Sequence, residues 1–136
     1  MAPTLLDTDI LSELLKQKDA NVVRRAAAYF NLHGQFAFSA LTRYEVLRGL
    51  LEKNATAQLA KFTIFCQRSL ILPLTDGVLD RAADLWATGG RLGRARMDAD
   101  LLIAATALEN GRVLATGNRA HFQWIPGLVI DDWRQP

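Results

Sequence analysis

Thr4-Leu5-Leu6-Asp7-Thr8-Asp9-Ile10-Leu11-Ser12-Glu13-Leu14-Leu15 decides how the rest of the chain is read. Thr4-Leu5-Leu6 is a short apolar run suited to a buried strand. It meets the polar turn Asp7-Thr8-Asp9, after which Ile10, Leu11, Leu14 and Leu15 recur at helical spacing. The unit is strand, polar turn, helix. It returns at Gln35-Phe36-Ala37-Phe38-Ser39, which alternates like a strand and leads into a helix from about Thr42 to Glu52. Between the two, Val22, Val23, Ala26, Ala27 and Phe30 predict a helix with Asp19 or Asn21 as its cap and Gly34 as its stop.

Further along, an amphipathic helix from Ala55 to about Ser69 precedes a short edge strand, Leu70-Ile71-Leu72, ended by Pro73. Thr75 or Asp76 caps a helix holding Leu79, Ala82, Ala83 and Trp86, expected to end at Gly89-Gly90. A basic loop from Arg91 to Arg96 follows, then a helix from about Ala99 to Asn110. The strand Arg112-Val113-Leu114-Ala115-Thr116, a turn at Gly117-Asn118 and a last strand at Leu128-Val129-Ile130 complete the pattern. Strands alternating with helices and lacking hairpin turns need crossover connections. The expected fold class is therefore α/β, a three-layer α/β/α arrangement around a central, mainly parallel sheet of four to five strands. Ligands in such folds sit at the carboxyl ends of the strands.

The chain has 136 residues, half of them hydrophobic, and neither a repeat nor a Ser/Gly-rich spacer divides it. Residues 1–136 are expected to form a single domain. The longest apolar stretch, near Leu101 to Leu108, is far too short to span a bilayer. The opening segment lacks the basic start of a secretory signal, so a cytoplasmic location is expected. Cys66 has no partner for a disulfide, and with only His33 and His121 beside it there is no Cys/His set for zinc. The net charge of +2 does not by itself announce a nucleic-acid binder. Of the 16 basic residues only Lys16, Lys18, Lys53 and Lys61 are lysine. The excess of arginine suits phosphate partners and equally follows from GC-rich codon usage.

Strand ends are where chemistry should collect, and three of the four strand-to-helix junctions deliver polar candidates. These are Asp7 and Asp9, then Glu45, then Thr116 with Asn118; Asp98 and Asp100 open the helix before the fourth strand. Carboxylates converging on one edge raise one another's pKa, and a fold keeps such a cluster mainly when a cation occupies it. Oxygen donors without histidine or thiolate favour Mg²⁺ or Mn²⁺. Each acid also has a structural reading. Thr42-x-x-Glu45 makes a capping box, Asp9 and Asp98 suit N-caps, and acids in a first helical turn suit the helix dipole. Asp7 ends an apolar strand and needs a partner for its charge.

Leu5 to Leu14 resembles the opening of PIN domains, in which a strand-end Asp precedes Thr and then Asn or Asp. Ser39-Ala40-Leu41-Thr42-Arg43-Tyr44-Glu45-Val46-Leu47-Arg48-Gly49 is similar to their second block, and Asp98-Ala99-Asp100-Leu101-Leu102-Ile103-Ala104-Ala105 to their third. Leu114-Ala115-Thr116-Gly117-Asn118-Arg119-Ala120-His121-Phe122 and Ile130-Asp131-Asp132-Trp133 resemble the closing blocks of VapC-type toxins. The likeness covers essentially the whole chain. It departs in the fourth block, where many family members carry an acid at the position of Asn118 or His121.

The resemblance implies an endoribonuclease leaving 5′-phosphate and 3′-hydroxyl ends, dependent on Mg²⁺ or Mn²⁺, with Asp7, Glu45 and Asp100 as metal ligands. Asp98 is the candidate for the missing charge, Asn118 for a carbonyl ligand, and Thr116 for orienting water. Arg91, Arg94, Arg96 and His121 are candidates for binding RNA phosphates. A VapB-like antitoxin laid across the acidic site and a homodimer are also implied, with Trp86, Trp124 and Trp133 as candidate packing residues. Asp7-x-Asp9 after a strand also resembles the nucleophile motif of haloacid-dehalogenase-type phosphatases, and a receiver-like module would bind metal and accept phosphate on Asp, but both want a late lysine and none follows Lys61. A non-catalytic PIN-like binding module is the remaining rival. Phosphate-loop, dinucleotide, nucleophile-elbow and zinc-protease signatures are absent.

Overall fold

In the computed structural model, which describes residues 1–136, β1 (Thr4–Leu6) ends at Asp7 and α1 (Thr8–Lys16) begins at once. Asp7 is the N-cap of α1, its Oδ1 accepting from the Thr8 N–H at 2.8 Å. α2 (Ala20–His33) starts from Asp19, which accepts from the N–H groups of Asn21 and Val22, and stops at Gly34 with a left-handed φ of 72°. The remaining elements are β2 (Ala37–Ser39), α3 (Ala40–Glu52), α4 (Thr56–Gln67), β3 (Leu70–Leu72), α5 (Asp76–Arg91), α6 (Asp98–Glu109), β4 (Val113–Ala115), α7 (Arg119–Phe122) and β5 (Ile130–Asp131). No helix is long and apolar enough to cross a membrane.

All pairings are parallel. β4 lies between β1 and β5, β2 pairs with β3, and β1 adjoins β2 without a ladder between them. The order across the middle layer is therefore β3-β2-β1-β4-β5. Alternation along each strand sends neighbours to opposite faces. Leu5, Ala37 and Leu114 pack with Val78, Leu85, Ile103 and Ala104 of α5 and α6. Leu6, Phe38 and Ala115 pack with Ile10, Leu11, Val22 and Phe62 of α1, α2 and α4, and with Trp133. Each fully buried side chain of this size contributes about 1.5–3 kcal/mol, so both cores hold the short strands in place. The three-layer α/β/α expectation is met.

Local boundaries differ from the pattern at several places. α3 begins two residues before Thr42, because Ser39 accepts from the N–H groups of Leu41 and Thr42. The expected Thr42–Glu45 capping box is not used, and Glu45 is left to other partners. α5 runs through Gly89-Gly90 instead of ending there. A Cβ at Gly89 would meet the Trp124 ring at 2.9 Å, and one at Gly90 would strike the Arg96 guanidinium. Close packing, not a helix stop, needs these two glycines.

α6 begins at Asp98 with Met97 as a cap that gives no side-chain bond, so Asp98 is a first-turn residue and not the N-cap. Asp9 likewise is not a cap, since Asp7 fills that place. Past β4 the single-turn helix α7 sets the wholly buried Phe122 against the α5/α6 core, and β5 forms at Ile130–Asp131.

Candidate active site

β1 and β4 run parallel, so Asp7 and Thr116 emerge side by side from their carboxyl ends. Asp7 is only 4% exposed. Its Oδ1 is held by the Thr8 N–H, and its Oδ2 accepts from the Thr116 hydroxyl at 2.7 Å. Thr116 in turn accepts from the Asn118 N–H at 3.0 Å. Burial pushes the Asp7 carboxyl up from 3.8 to about 7. The Thr116 and Thr8 hydrogen bonds oppose that rise, and the charges of Asp9 and Asp100 add to it.

Asp100 reaches the same rim from the first turn of α6, with Oδ2 3.1 Å from His121 Nδ1. Burial raises its pKa, the neighbouring His121 lowers it, and Glu45 and Asp9 raise it again. Glu45 comes from α3 and accepts from the Thr8 hydroxyl at 2.7 Å; its Oε2 is 3.9 Å from Arg48. Asp9 accepts from the Gly117 N–H at 2.9 Å and stands 3.5 Å from Arg134 Nη1. Four carboxylates from three parts of the chain thus share one edge, and two of them titrate above their ordinary range.

Oxygen donors only, mutual repulsion and a buried carboxylate suit a hard divalent cation. No three of the acidic, histidine and cysteine side chains converge closely enough to hold an ion by themselves. The carboxylates are instead turned toward Thr8, Thr116, Gly117 and His121. Mg²⁺ binds through one or two carboxylates while keeping several waters, and this spaced set fits that mode.

The structure brings Asp7, Glu45, Asp100 and Thr116 together as the sequence suggests. His121 joins them through Asp100, although its side chain is 53% exposed. Asn118 contributes its N–H; its exposed side chain makes no hydrogen bond. Asp98 is exposed and turned to a different cleft, lined by Ala82, Ala83 and Trp86. The fourth charge at the rim is Asp9. Arg91 ends α5 and donates to the Thr88 hydroxyl at 3.3 Å, while Arg94 is exposed. Arg96 is committed to packing, its guanidinium 3.8 Å above the Trp86 ring and its Nε buried without a partner. None of these three arginines makes a polar contact with the acids.

Asp9 is both a strand-end candidate and a possible N-cap in the sequence, and the structure places it at the rim. Two further contributors carry no sequence signal. Nothing local marks the Thr8 hydroxyl as the donor to Glu45. Arg134 follows the last block, and nothing local marks it. Its backbone is fixed by Asn21 Nδ2 donating to its carbonyl at 2.8 Å and by its own N–H donating to Asp132 Oδ1 at 2.9 Å.

A family model described as "PIN domain" matches residues 4–126. The "tRNA(fMet)-specific endonuclease VapC" of Salmonella typhimurium is 28% identical over 135 residues, covering 98% of this chain and 99% of that protein. "Ribonuclease VapC19" of Mycobacterium tuberculosis is 32% identical over 131 residues, covering 91% of this chain and 95% of its own length. Among solved structures, DNA-bound VapBC from Salmonella typhimurium superposes with a TM-score of 0.85 at 28% identity, covering 98% of this chain and 99% of that one. With its sheet, its rim of acids and these relatives in agreement, the chain belongs to the PIN-domain family and, within it, to the VapC type.

Proposed function

We propose that the protein is a Mg²⁺- or Mn²⁺-dependent endoribonuclease, the toxin of a VapBC-type toxin–antitoxin pair. The observation that carries this reading is the buried Asp7 carboxylate, raised to about 7 and faced by Asp9 and Asp100, with Glu45 beside Asp100 on the strand-end rim. Such a cluster destabilises the fold when ionised and empty, and that cost is offset when a cation is bound. Asp7, Glu45 and Asp100 would hold it, one or two of them directly and the rest through bound water, with Asp9 in the part first expected of Asp98. When bound, the cation supplies acidity to water and offsets negative charge on the phosphate.

The chain's own groups supply order. Thr116 fixes one Asp7 oxygen and the Thr8 N–H the other, so that carboxylate cannot rotate away. The Thr8 hydroxyl orients Glu45, and His121 restrains Asp100 while leaving an exposed ring for a phosphate. No histidine pair is needed, and the RNA 2′-hydroxyl is not the nucleophile. The solved relatives crystallised as VapBC complexes support a VapB-like antitoxin partner. Homodimerisation and action in the cytoplasm complete the reading.

The test compares partner-free protein with its Asp7→Asn, Glu45→Gln and Asp100→Asn variants on mixed structured RNAs in Mg²⁺, Mn²⁺ or EDTA. Expected are metal-dependent cuts leaving 5′-phosphate ends, reduced on the order of a hundredfold or more in each variant. Folded protein that binds RNA and cuts it in neither metal would instead be a non-catalytic binding module.

A further inference from the structure

A groove of about 610 Å³ opens between α1, α3 and α4, and it begins at Thr8 and Glu45, the hydrogen-bonded pair on the acidic rim. Lys16, Lys18, Lys53 and Lys61 line it. These are all the lysines in the chain, drawn from helices α1 and α4 and from the turns after α1 and α3, and no arginine lines the groove. Each is exposed, and none is paired with a carboxylate. The groove's single acid is Glu45, at the end that meets the rim. Ala55 also lines it as the N-cap of α4, a helix start with no side-chain cap and no acid in its first turn.

We propose that this groove seats the backbone of single-stranded RNA, whose phosphates pass from the acidic rim along the four ammonium groups. The proposal rests on the ribonuclease reading above. Four unneutralised cations around one depression concentrate positive potential there, and the uncapped N-terminus of α4 adds to it. A single small anion has no use for four. A linear polyanion does, and only a polymer can occupy the groove and the rim together. Lysine is a point charge on a flexible stem, so it accepts a phosphate from many directions, whereas the arginine fork selects geometry. Such contacts hold a strand in register and carry no base information. The groove therefore guides RNA, and sequence choice lies elsewhere.

The experiment measures binding of a fluorescein-labelled 20-residue oligouridylate by anisotropy in EDTA, where cutting is off, across a range of salt. Wild type is compared with the joint variant Lys16→Gln, Lys18→Gln, Lys53→Gln, Lys61→Gln, with the same four positions changed to Arg, and with Arg24→Gln, an exposed residue of α2, as a control outside the groove. The Gln variant is expected to bind on the order of tenfold more weakly or worse. Its log–log salt slope should be shallower by up to about 3, at about 0.7 per lost phosphate contact. The Arg variant and Arg24→Gln should stay near wild type.

Unchanged affinity and slope in the Gln variant would overturn the proposal. So would a 20-residue oligoglutamate that binds as tightly as the RNA with the same lysine dependence, since the groove would then serve an acidic protein segment. A parallel cleavage assay in Mg²⁺ separates the two readings. Lysine-dependent binding without cutting leaves the groove standing and removes the nuclease, and cutting with lysine-independent binding does the reverse.

Discussion

The Thr116 hydroxyl donates to Asp7 Oδ2 at 2.7 Å, tying the end of β4 to the end of β1 across 109 residues of chain. Thr116 is itself wholly buried. The bond is one of the two that hold down the pKa of a carboxylate that burial drives up. Thr116→Val keeps the shape and removes the donor, so the Asp7 carboxyl should rise further. A hydrogen bond to a charged group is worth about 1.5–3 kcal/mol, or about one pH unit or more. The pH midpoint for Mn²⁺ binding, followed by calorimetry, is expected to move by that much toward alkaline pH. An unmoved midpoint would mean that Thr116 only packs.

Stability of the metal-free protein should fall as pH rises. The Asp7 carboxyl titrates near 3.8 when free and about 7 in the fold. Between those values the folded state holds a proton that the unfolded chain has released, so stability is greatest below the lower value and is lost up to the higher one. Between pH 5 and 8 this group alone contributes a loss on the order of 3 kcal/mol. The raised Asp100 carboxyl acts in the same sense. Urea unfolding in EDTA at the two pH values should show the loss, and Asp7→Asn should remove most of it. Equal pH dependence in wild type and variant would contradict the assignment.

Two helical glycines should respond in opposite directions to alanine. Gly49 in α3 has open space where a Cβ would stand, so Gly49→Ala should gain about 0.5–1 kcal/mol. Gly89 in α5 carries the Trp124 ring 2.9 Å from that point, and Gly89→Ala should lose about 1–3 kcal/mol despite its better helix propensity. Thermal denaturation of the pair at one pH is sufficient to check both signs.

Arg134 is the cation nearest Asp9, and its Nη2 is also 4.0 Å from Glu13 Oε1. Arg134→Ala should leave the rim more negative and tighten Mn²⁺ binding severalfold at low ionic strength, with the gain shrinking as salt is added. The stability change should stay below about 1 kcal/mol, as for other partly exposed ion pairs. Weaker Mn²⁺ binding in the variant would show that the guanidinium arranges Asp9 more than it competes with the ion.

Where the sequence was legible, local physics decided the outcome. Thr4–Leu6 becomes a buried strand because its neighbours on both faces are apolar, and Asp19, Gly34 and Thr75 cap helices as their chemistry suggests. The three acids at strand ends and in the first turn of α6 were readable because topology gathers such positions on one rim. What the sequence could not display came from afar. Gly89-Gly90 looks like a stop until Trp124 and Arg96 are seen to need the space. Asp98 is a candidate for the missing charge until α6 turns Asp100 toward the rim and Asp98 toward Trp86. The basic loop drew attention as a phosphate site, but one of its arginines is spent on an indole ring. The four lysines, scattered in sequence, become a group only once α1, α3 and α4 are packed.

β1 is three residues long, yet Leu5 belongs to one core, Leu6 to the other, and the Asp7 N–H continues the ladder by donating to the Ala115 carbonyl at 2.9 Å. Neither half of the molecule can open and leave that amide protected by the other. Its exchange with deuterium should therefore proceed only through global unfolding and report the full stability of the molecule. Any ion that binds the rim would slow this exchange by the amount it stabilises the whole, so one backbone proton becomes a gauge of occupancy at the carboxylate beside it.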